Sequence, residues 1–477
     1  MQNSSNQSST NYFSTVVGVV LAAATYAAMA QSGIAAVECT TAAVTVLCAV
    51  WWIFESIPLA ATSLVPLAVF PLTGVLTEQE VAAAYSDPIV LLFMGGFMLS
   101  KAAESSGAHR RIAQVMIAAV GSTSGRRIVL AFMLATALCS MWISNTATAL
   151  MMLPVALAVL ESDTSGKLGV PLLLGVAYAA SIGGIVTPIG SPPNGVFMAV
   201  YREASGQTVP FYQWMLIAGP IAILTLAAAW VILTWKLAGT PGVRIKTDDA
   251  WTTAQRRTLA VFGLAAVGWI TREIPFGGWS GLVESWLGIS RAGDTTVAII
   301  AVIALFLLPS GNIRGPRLLD WPTAVKIPWG ILLLFGGGIA IAKAFDASGL
   351  STTIGNLVSA IEHWPPLALM GVVCLGATLL TEVTSNTATA NVLLPVLAAA
   401  AKAAHLDPTL LMVPVTIAVS YAFMLPVATP PNAIVCGSGY VRIADMFRLG
   451  LILDLVGVVI ITLVCWGLLP LVIGRGN

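Results

Sequence analysis

The sequence predicts an all-α integral membrane protein made of two related halves, and three observations predict it. The 477 residues are 57% hydrophobic and 9% charged, with a mean hydropathy of +0.90; soluble chains carry roughly a quarter charged residues. The apolar residues gather into many long runs, which suit helices across a bilayer rather than a barrel. The hexapeptide Ser-Asn-Thr-Ala-Thr-Ala occurs twice, at 144–149 and 385–390, each time inside an apolar stretch and followed by a Leu/Pro run reaching Pro154 and Pro395. A small, uncharged, hydrogen-bonding cluster in each half of a greasy chain suggests two halves closing on one polar solute.

Composition also excludes partners and cofactors. The net charge of +1 argues against a nucleic-acid partner. Cys39, Cys48, Cys139, Cys374, Cys436 and Cys465 are scattered in apolar surroundings without metal-ligand spacing and read as buried free thiols. The histidines at 109, 363 and 405 do not cluster, which argues against haem or zinc. Residues 1–13, rich in Ser, Asn and Gln, read as a disordered tail. No basic stretch precedes the first apolar run, so no cleavable signal peptide is expected.

The first half spans 14–238. Apolar segments lie near 14–35, 37–54, 59–75 and 88–106, the last containing Gly95-Gly96. A stretch from about 126 to 160 holds the first Ser-Asn-Thr, and the next, about 168–200, is interrupted by Thr187 to Asn194. A segment at 211–238 closes the half, and a polar linker follows at 239–257. The second half, 258–477, repeats the plan with segments near 258–275, 293–309 and 328–347. A stretch from about 365 to 404 holds the second Ser-Asn-Thr, one at 408–440 is interrupted by Ala428 to Asn432, and the last runs 448–473.

The repeat is written in residues as well as in hydropathy. Phe93-Met94-Gly95-Gly96 matches Phe335-Gly336-Gly337-Gly338, Lys101 matches Lys343 and Ser106-Gly107 matches Ser348-Gly349, each displaced by 242 positions. The Ser-Asn-Thr copies are displaced by 241 and the Pro-Pro-Asn copies, beginning at Pro192 and Pro430, by 238. Upstream, the segment from Trp52 to Pro58 resembles that from Trp269 to Pro275. Such constant spacing indicates internal duplication, a common plan in secondary transporters.

Charge sets the topology. From Arg126 to Leu160 is too long for one span of a ~30 Å core, which needs ~20 residues, and its centre is polar. Irregular backbone at membrane depth is tolerated where protein or a watery cavity covers it. Reading both Ser-Asn-Thr stretches as re-entrant hairpins gives about 11 transmembrane helices. With the N-terminus in the cytoplasm and the C-terminus outside, 16 of the Lys and Arg residues then face the cytoplasm and 6 face outside, as the positive-inside rule requires. The odd number of spans between the copies makes the repeats inverted and the hairpins opposed.

At a hairpin tip the helix ends free their backbone groups. Helix N-termini favour anions, while C-termini and unwound carbonyls hold a hard cation such as Na⁺. Pro192-Pro193 and Pro430-Pro431 should break their helices near mid-membrane. A single copy of either element reads as a kink or an interhelical contact; two copies of both, in the same order, read as a binding site. No basic residue lies within either motif, so a bound anion would be held by dipoles, hydroxyls and amides. Lys101 and Lys343 either touch unwound chain or snorkel to the interface. Glu382 is a functional candidate as an intramembrane acid or makes a hydrogen bond within its hairpin; Met141 occupies its place in the first half. Asp87, Glu55 and Asp454 read as structural. The glycine runs read as sites of close packing or unwinding, because no strand precedes them. A membrane-embedded enzyme would need a nucleophile–base pair or metal ligands, and neither accompanies the motifs. A channel would need a continuous pore, which two opposed hairpins suit less well than alternating access.

Paired Ser-Asn-Thr motifs with paired Pro-Pro-Asn breaks resemble the divalent anion/sodium symporter family, the INDY-type dicarboxylate and citrate transporters. The resemblance covers nearly the whole chain. It implies a homodimer in the cell (inner) membrane, an elevator mechanism, and Na⁺-coupled uptake of C4-dicarboxylates such as succinate, malate and fumarate. The family also includes exchangers and members handling citrate or sulfate. Carried over to this sequence, Ser144, Asn145, Thr146, Ser385, Asn386 and Thr387 would face substrate, with Ser191 and Thr429 completing the pocket. One sodium site would draw on Ser140, Asn145 and Gly190, the other on Thr381, Asn386 and Ala428, the Gly and Ala acting through their carbonyls. Where the family usually has Thr before Pro-Pro, the first half has Ser191, which keeps the hydroxyl and loses a methyl.

Overall fold

The computed structural model describes residues 3–121, 123–163, 165–237, 250–273, 277–288, 292–312, 315–353, 364–404 and 406–473. Among them the chain forms helices and no sheet; one isolated bridge pairs Pro309 with Arg317. The first half contains α1 (Asn3–Gln31), α2 (Ala36–Ile53), α3 (Leu59–Thr62), α4 (Val65–Thr73), α5 (Glu78–Tyr85), α6 (Pro88–Ser106), α7 (Ala108–Val120), α8 (Gly125–Ser140), α9 (Asn145–Leu160), α10 (Gly169–Gly184), α11 (Pro192–Ser205) and α12 (Phe211–Thr234). The second contains α13 (Thr253–Ile270), α14 (Gly278–Leu287), α15 (Asp294–Leu307), α16 (Trp321–Ala324), α17 (Trp329–Ser348), α18 (Pro366–Thr381), α19 (Asn386–Ala403), α20 (Thr409–Ala418), α21 (Pro430–Cys436) and α22 (Ile443–Val472).

Among the described residues six helices are long and apolar enough to cross a membrane, fewer than the roughly eleven spans expected. Two of the expected spans, 168–200 and 408–440, are interrupted by the polar breaks, which leave α10 with 16 residues and α20 with 10. Helix α1 begins at Asn3, inside the stretch expected as a disordered tail; no Gly or Pro lies between Asn3 and Val17 to interrupt it. Helices α5, α7 and α14 add short elements that hydropathy does not announce. For α5 the signal was present locally: Thr77 and Glu80 form a reciprocal capping box. Linker residues 239–249, with His363 and His405, lie outside the described residues.

Two helix–break–helix pairs dominate the interior. Helix α8 stops at Ser140 and α9 restarts at Asn145; α18 stops at Thr381 and α19 restarts at Asn386. Ser144 caps α9, its Oγ accepting from Ala147 N at 3.3 Å. The Pro-Pro pairs do not kink a helix from inside. They open α11 and α21 at the first two positions, where a missing N–H costs nothing, and the unwound chain precedes them at 185–191 and 419–429.

Aromatic packing anchors the first break. Trp142 stacks on Trp269 with centroids 6.2 Å apart, and Trp269 stacks on Phe211 at 5.1 Å and 6°. Such pairs contribute about 0.5–1.5 kcal/mol each. Between helices in lipid, packing of this kind supplies attraction that water exclusion does not. Five of the six cysteines are buried and all are free thiols, with Cys436 partly buried.

Candidate functional site

The four helix restarts converge on one cavity of about 690 Å³. Its lining includes Ser144, Asn145 and Thr146 from the start of α9, and Gly190 and Ser191 before α11. From the other half come Ser385, Asn386 and Thr387 at the start of α19, and Ala428 and Thr429 before α21. Ten of the twelve residues singled out in the sequence therefore surround a single space. Three of the helices aimed at it are 14 residues or longer, so their N-terminal partial charges and free amides favour an anion. No lining residue is basic, and Glu55 is the single ionisable one.

Ser140 and Thr381, the other two, do not line the cavity. They are fully buried behind the asparagines. Ser140 Oγ lies 2.7 Å from Asn145 Oδ1 and 2.7 Å from the Ala180 carbonyl. Thr381 Oγ1 lies 2.7 Å from Asn386 Oδ1 and 2.9 Å from the Val419 carbonyl. In each cluster one hydroxyl proton faces two acceptors, leaving more oxygen lone pairs than hydrogens. That donor set fits a hard cation, which takes oxygen ligands from hydroxyls, amides and backbone carbonyls. Glycine makes room for the first cluster. A Cβ on Gly184 would overlap Asn145 Oδ1, and one on Gly190 would come within 2.8 Å of the Met141 carbonyl.

The breaks are held open by groups whose roles the sequence did not disclose. Asn194 Nδ2 donates to the carbonyls of Gly184, Ile185 and Thr187 at 3.1, 3.3 and 2.8 Å. Asn432 Nδ2 donates to Ala422 and Leu425 at 2.9 and 3.0 Å. These are the asparagines of the two Pro-Pro-Asn motifs, so the motif itself was the signal: its Asn satisfies carbonyls that the break orphans. Thr187 reaches across to donate to the Met141 carbonyl, tying the α10–α11 break to the α8–α9 break.

Glu382 bonds outside its own helix pair. Its two carboxylate oxygens accept from Met424 N and Leu425 N, each at 2.9 Å. It thereby ties the α18–α19 break to the unwound chain before α21. Asp454 on α22 is likewise buried, 2% exposed. Asp87 is structural, as read from sequence: it caps α6 through Ile89 N at 2.8 Å and pairs with Arg202. Glu55 departs from that reading, because it lines the cavity and holds a left-handed backbone, φ 46°. The segment from Trp52 to Pro58 carried it, and its repeat counterpart from Trp269 to Pro275 was the available hint.

The hydroxyls before the two Pro-Pro pairs differ. Thr429 Oγ1 caps α21 by accepting from Asn432 N at 3.3 Å. Ser191 makes no such cap, and its Oγ instead stands 3.5 Å from Ser420 Oγ of the other half.

Known proteins share this plan. Residues 9–472 match the family described as the sodium:sulfate symporter transmembrane region. The chain is 39% identical over 455 residues to the sodium-dependent dicarboxylate transporter SdcS of Staphylococcus saprophyticus, covering 91% of this chain and 86% of that protein. It is 37% identical, with the same coverage, to SdcS of Staphylococcus aureus strain MRSA252. Among solved structures it is similar to the YdaH transporter of Alcanivorax borkumensis, at a TM-score of 0.56 and 18% identity over 83% of this chain and 88% of that one, a likeness of fold alone. The chain therefore belongs to the sodium:sulfate symporter family, the divalent anion/sodium symporters that its motifs resemble, and is a multi-pass membrane transporter rather than an enzyme.

Proposed function

We propose that this protein is a secondary transporter that carries C4-dicarboxylates such as succinate, malate and fumarate across the cell membrane together with Na⁺. The observation that carries the reading is the pairing of chemistries at each break. A proton-poor oxygen cluster, Ser140 with Asn145 or Thr381 with Asn386, backs directly onto a cavity lined by helix N-termini and lacking a basic side chain. Asn145 and Asn386 belong to both. Sodium held at the oxygen clusters, with Gly190 and Ala428 contributing carbonyls, would supply the positive charge that the cavity itself lacks. Substrate carboxylates would then rest on the hydroxyls and amides of Ser144, Thr146, Ser385 and Thr387, with Ser191 and Thr429 completing the pocket. The sodium-dependent dicarboxylate transport named for the SdcS relatives supports the same pairing.

The two halves, 14–238 and 258–477, act as inverted repeats whose helix–break–helix pairs are re-entrant from opposite faces. The N-terminus lies in the cytoplasm and the C-terminus outside. The substrate-bearing unit moves as an elevator against a scaffold that dimerises with a second copy. Binding without an arginine clamp suits release, because dipoles, amides and hydroxyls bind reversibly where a desolvated guanidinium would hold the dianion tightly.

Labelled succinate uptake into proteoliposomes, with and without an inward Na⁺ gradient, tests the coupling. Uptake that requires the gradient fits symport. Equal uptake in both, stimulated by internal succinate, would replace symport with exchange.

A further inference from the structure

We propose that the chamber beside the central cavity, walled by Lys101, Arg110 and Lys326, is an anion-collecting vestibule that holds the dicarboxylate on its way between the central site and the face to which the chamber opens. The inference rests on the transport reading above and adds a second, weaker anion site to it. The chamber measures about 660 Å³ and opens into the central cavity, the two sharing Phe97, Ser144, Thr146, Pro328 and Ile331. Its cations come from three separate elements: Lys101 on α6, Arg110 on α7 and Lys326 just after α16. Lys101 pairs with Glu104 at 2.6 Å. Arg110 and Lys326 are exposed and form no ion pair among the described residues. The wall thus carries three cations against one acid, and a low-dielectric cleft lined by one sign of charge concentrates ions of the other.

The repeat supplies the comparison. The counterparts of Ser100, Glu104 and Pro154 are Ala342, Asp346 and Pro395, and these line a cleft of only about 10 Å³. There α11 contributes Val200 and Ala204 to the wall, and the lining cation Lys402 pairs with Asp346 at 3.6 Å; Lys343, the counterpart of Lys101, pairs with Glu203 at 3.9 Å. One cleft is closed and neutralised; its counterpart is open and holds unpaired positive charge beside the central site. By the orientation proposed above, the open vestibule faces the cytoplasm.

Succinate transport measured from each face, in right-side-out and inverted membrane vesicles, tests the assignment with R110Q/K326Q and with E104Q. The double variant should raise KM from the vestibule face about five-fold or more, leave turnover and the opposite-face KM within about two-fold, and flatten the rise of KM with salt. Removing the acid in E104Q should lower KM from the vestibule face, a gain that misfolding does not produce. A wild type that carries succinate, with KM unmoved in both variants or moved equally at both faces, would overturn the vestibule alone. A wild type that carries no succinate from either face would overturn the transport reading and the vestibule with it.

Discussion

Phe93 and Phe335 meet edge to face, their ring centroids 4.7 Å apart at 78°. They are also counterparts in the repeat, 242 positions apart. Contact between a residue and its own counterpart is what a two-fold relation between the proposed repeats predicts, as at isologous interfaces. Both rings are buried, each 1% exposed. Truncating either to Ala should cost about 3–5 kcal/mol of stability. Because the rings touch, the double variant should lose less than the sum. Thermal melts of the purified single and double variants check both statements.

Removing the hydroxyl of an oxygen cluster should weaken sodium before it weakens substrate. In Ser140→Ala and Thr381→Ala the asparagine oxygen loses its partner and the cluster loses an oxygen. We expect the sodium concentration for half-maximal uptake to rise about ten-fold, the equivalent of roughly 1.4 kcal/mol for one lost polar contact. Succinate affinity at saturating sodium should change much less. Thr381→Ser, which keeps the hydroxyl, should stay near wild type. Uptake titrated with Na⁺ at fixed succinate separates these outcomes.

Gly184→Ala asks whether close approach at the first cluster matters. The added methyl overlaps Asn145 Oδ1, so the amide must swing away from Ser140. Sodium-dependent uptake should be lost while the protein still inserts. Gly219→Ala, where nothing lies within 4 Å of the new methyl, should be silent in the same assay.

The groups that hold the breaks should act through stability and geometry together. Glu382→Ala removes two hydrogen bonds from backbone N–H groups, each worth about 0.5–1.5 kcal/mol, and frees Met424 and Leu425. Asn432→Ala orphans the carbonyls of Ala422 and Leu425. Both should lower the melting temperature and slow uptake. Glu382→Gln, which keeps one acceptor oxygen, should fall between Ala and wild type.

Much of this site was legible in the sequence because the duplication doubled every signal. Ser144 to Thr146 and Ser385 to Thr387 stood out as copies, and their helices do start where the copies begin. The asparagine of each Pro-Pro-Asn motif was visible, yet its task was not, since the carbonyls it satisfies are set by how the chain unwinds. Glu382 illustrates the same limit: its partners lie 42 and 43 residues away, a separation that hydropathy does not encode. Glu55 was hidden for another reason, because only the folded backbone turns it toward the cavity. The polar breaks divide apolar runs into shorter helices, a division that a window averaged over apolar runs smooths away.

Ligand-induced stabilisation of the purified protein tests the central claim most directly. If sodium and dicarboxylate occupy adjoining sites that share Asn145 and Asn386, each must tighten the other. Succinate should then raise the melting temperature in NaCl and do little in KCl, because only a bound ligand stabilises the fold. The effect should vanish in Asn145→Ala and in Asn386→Ala. An equal shift in NaCl and KCl, or a full shift in both variants, would contradict the account.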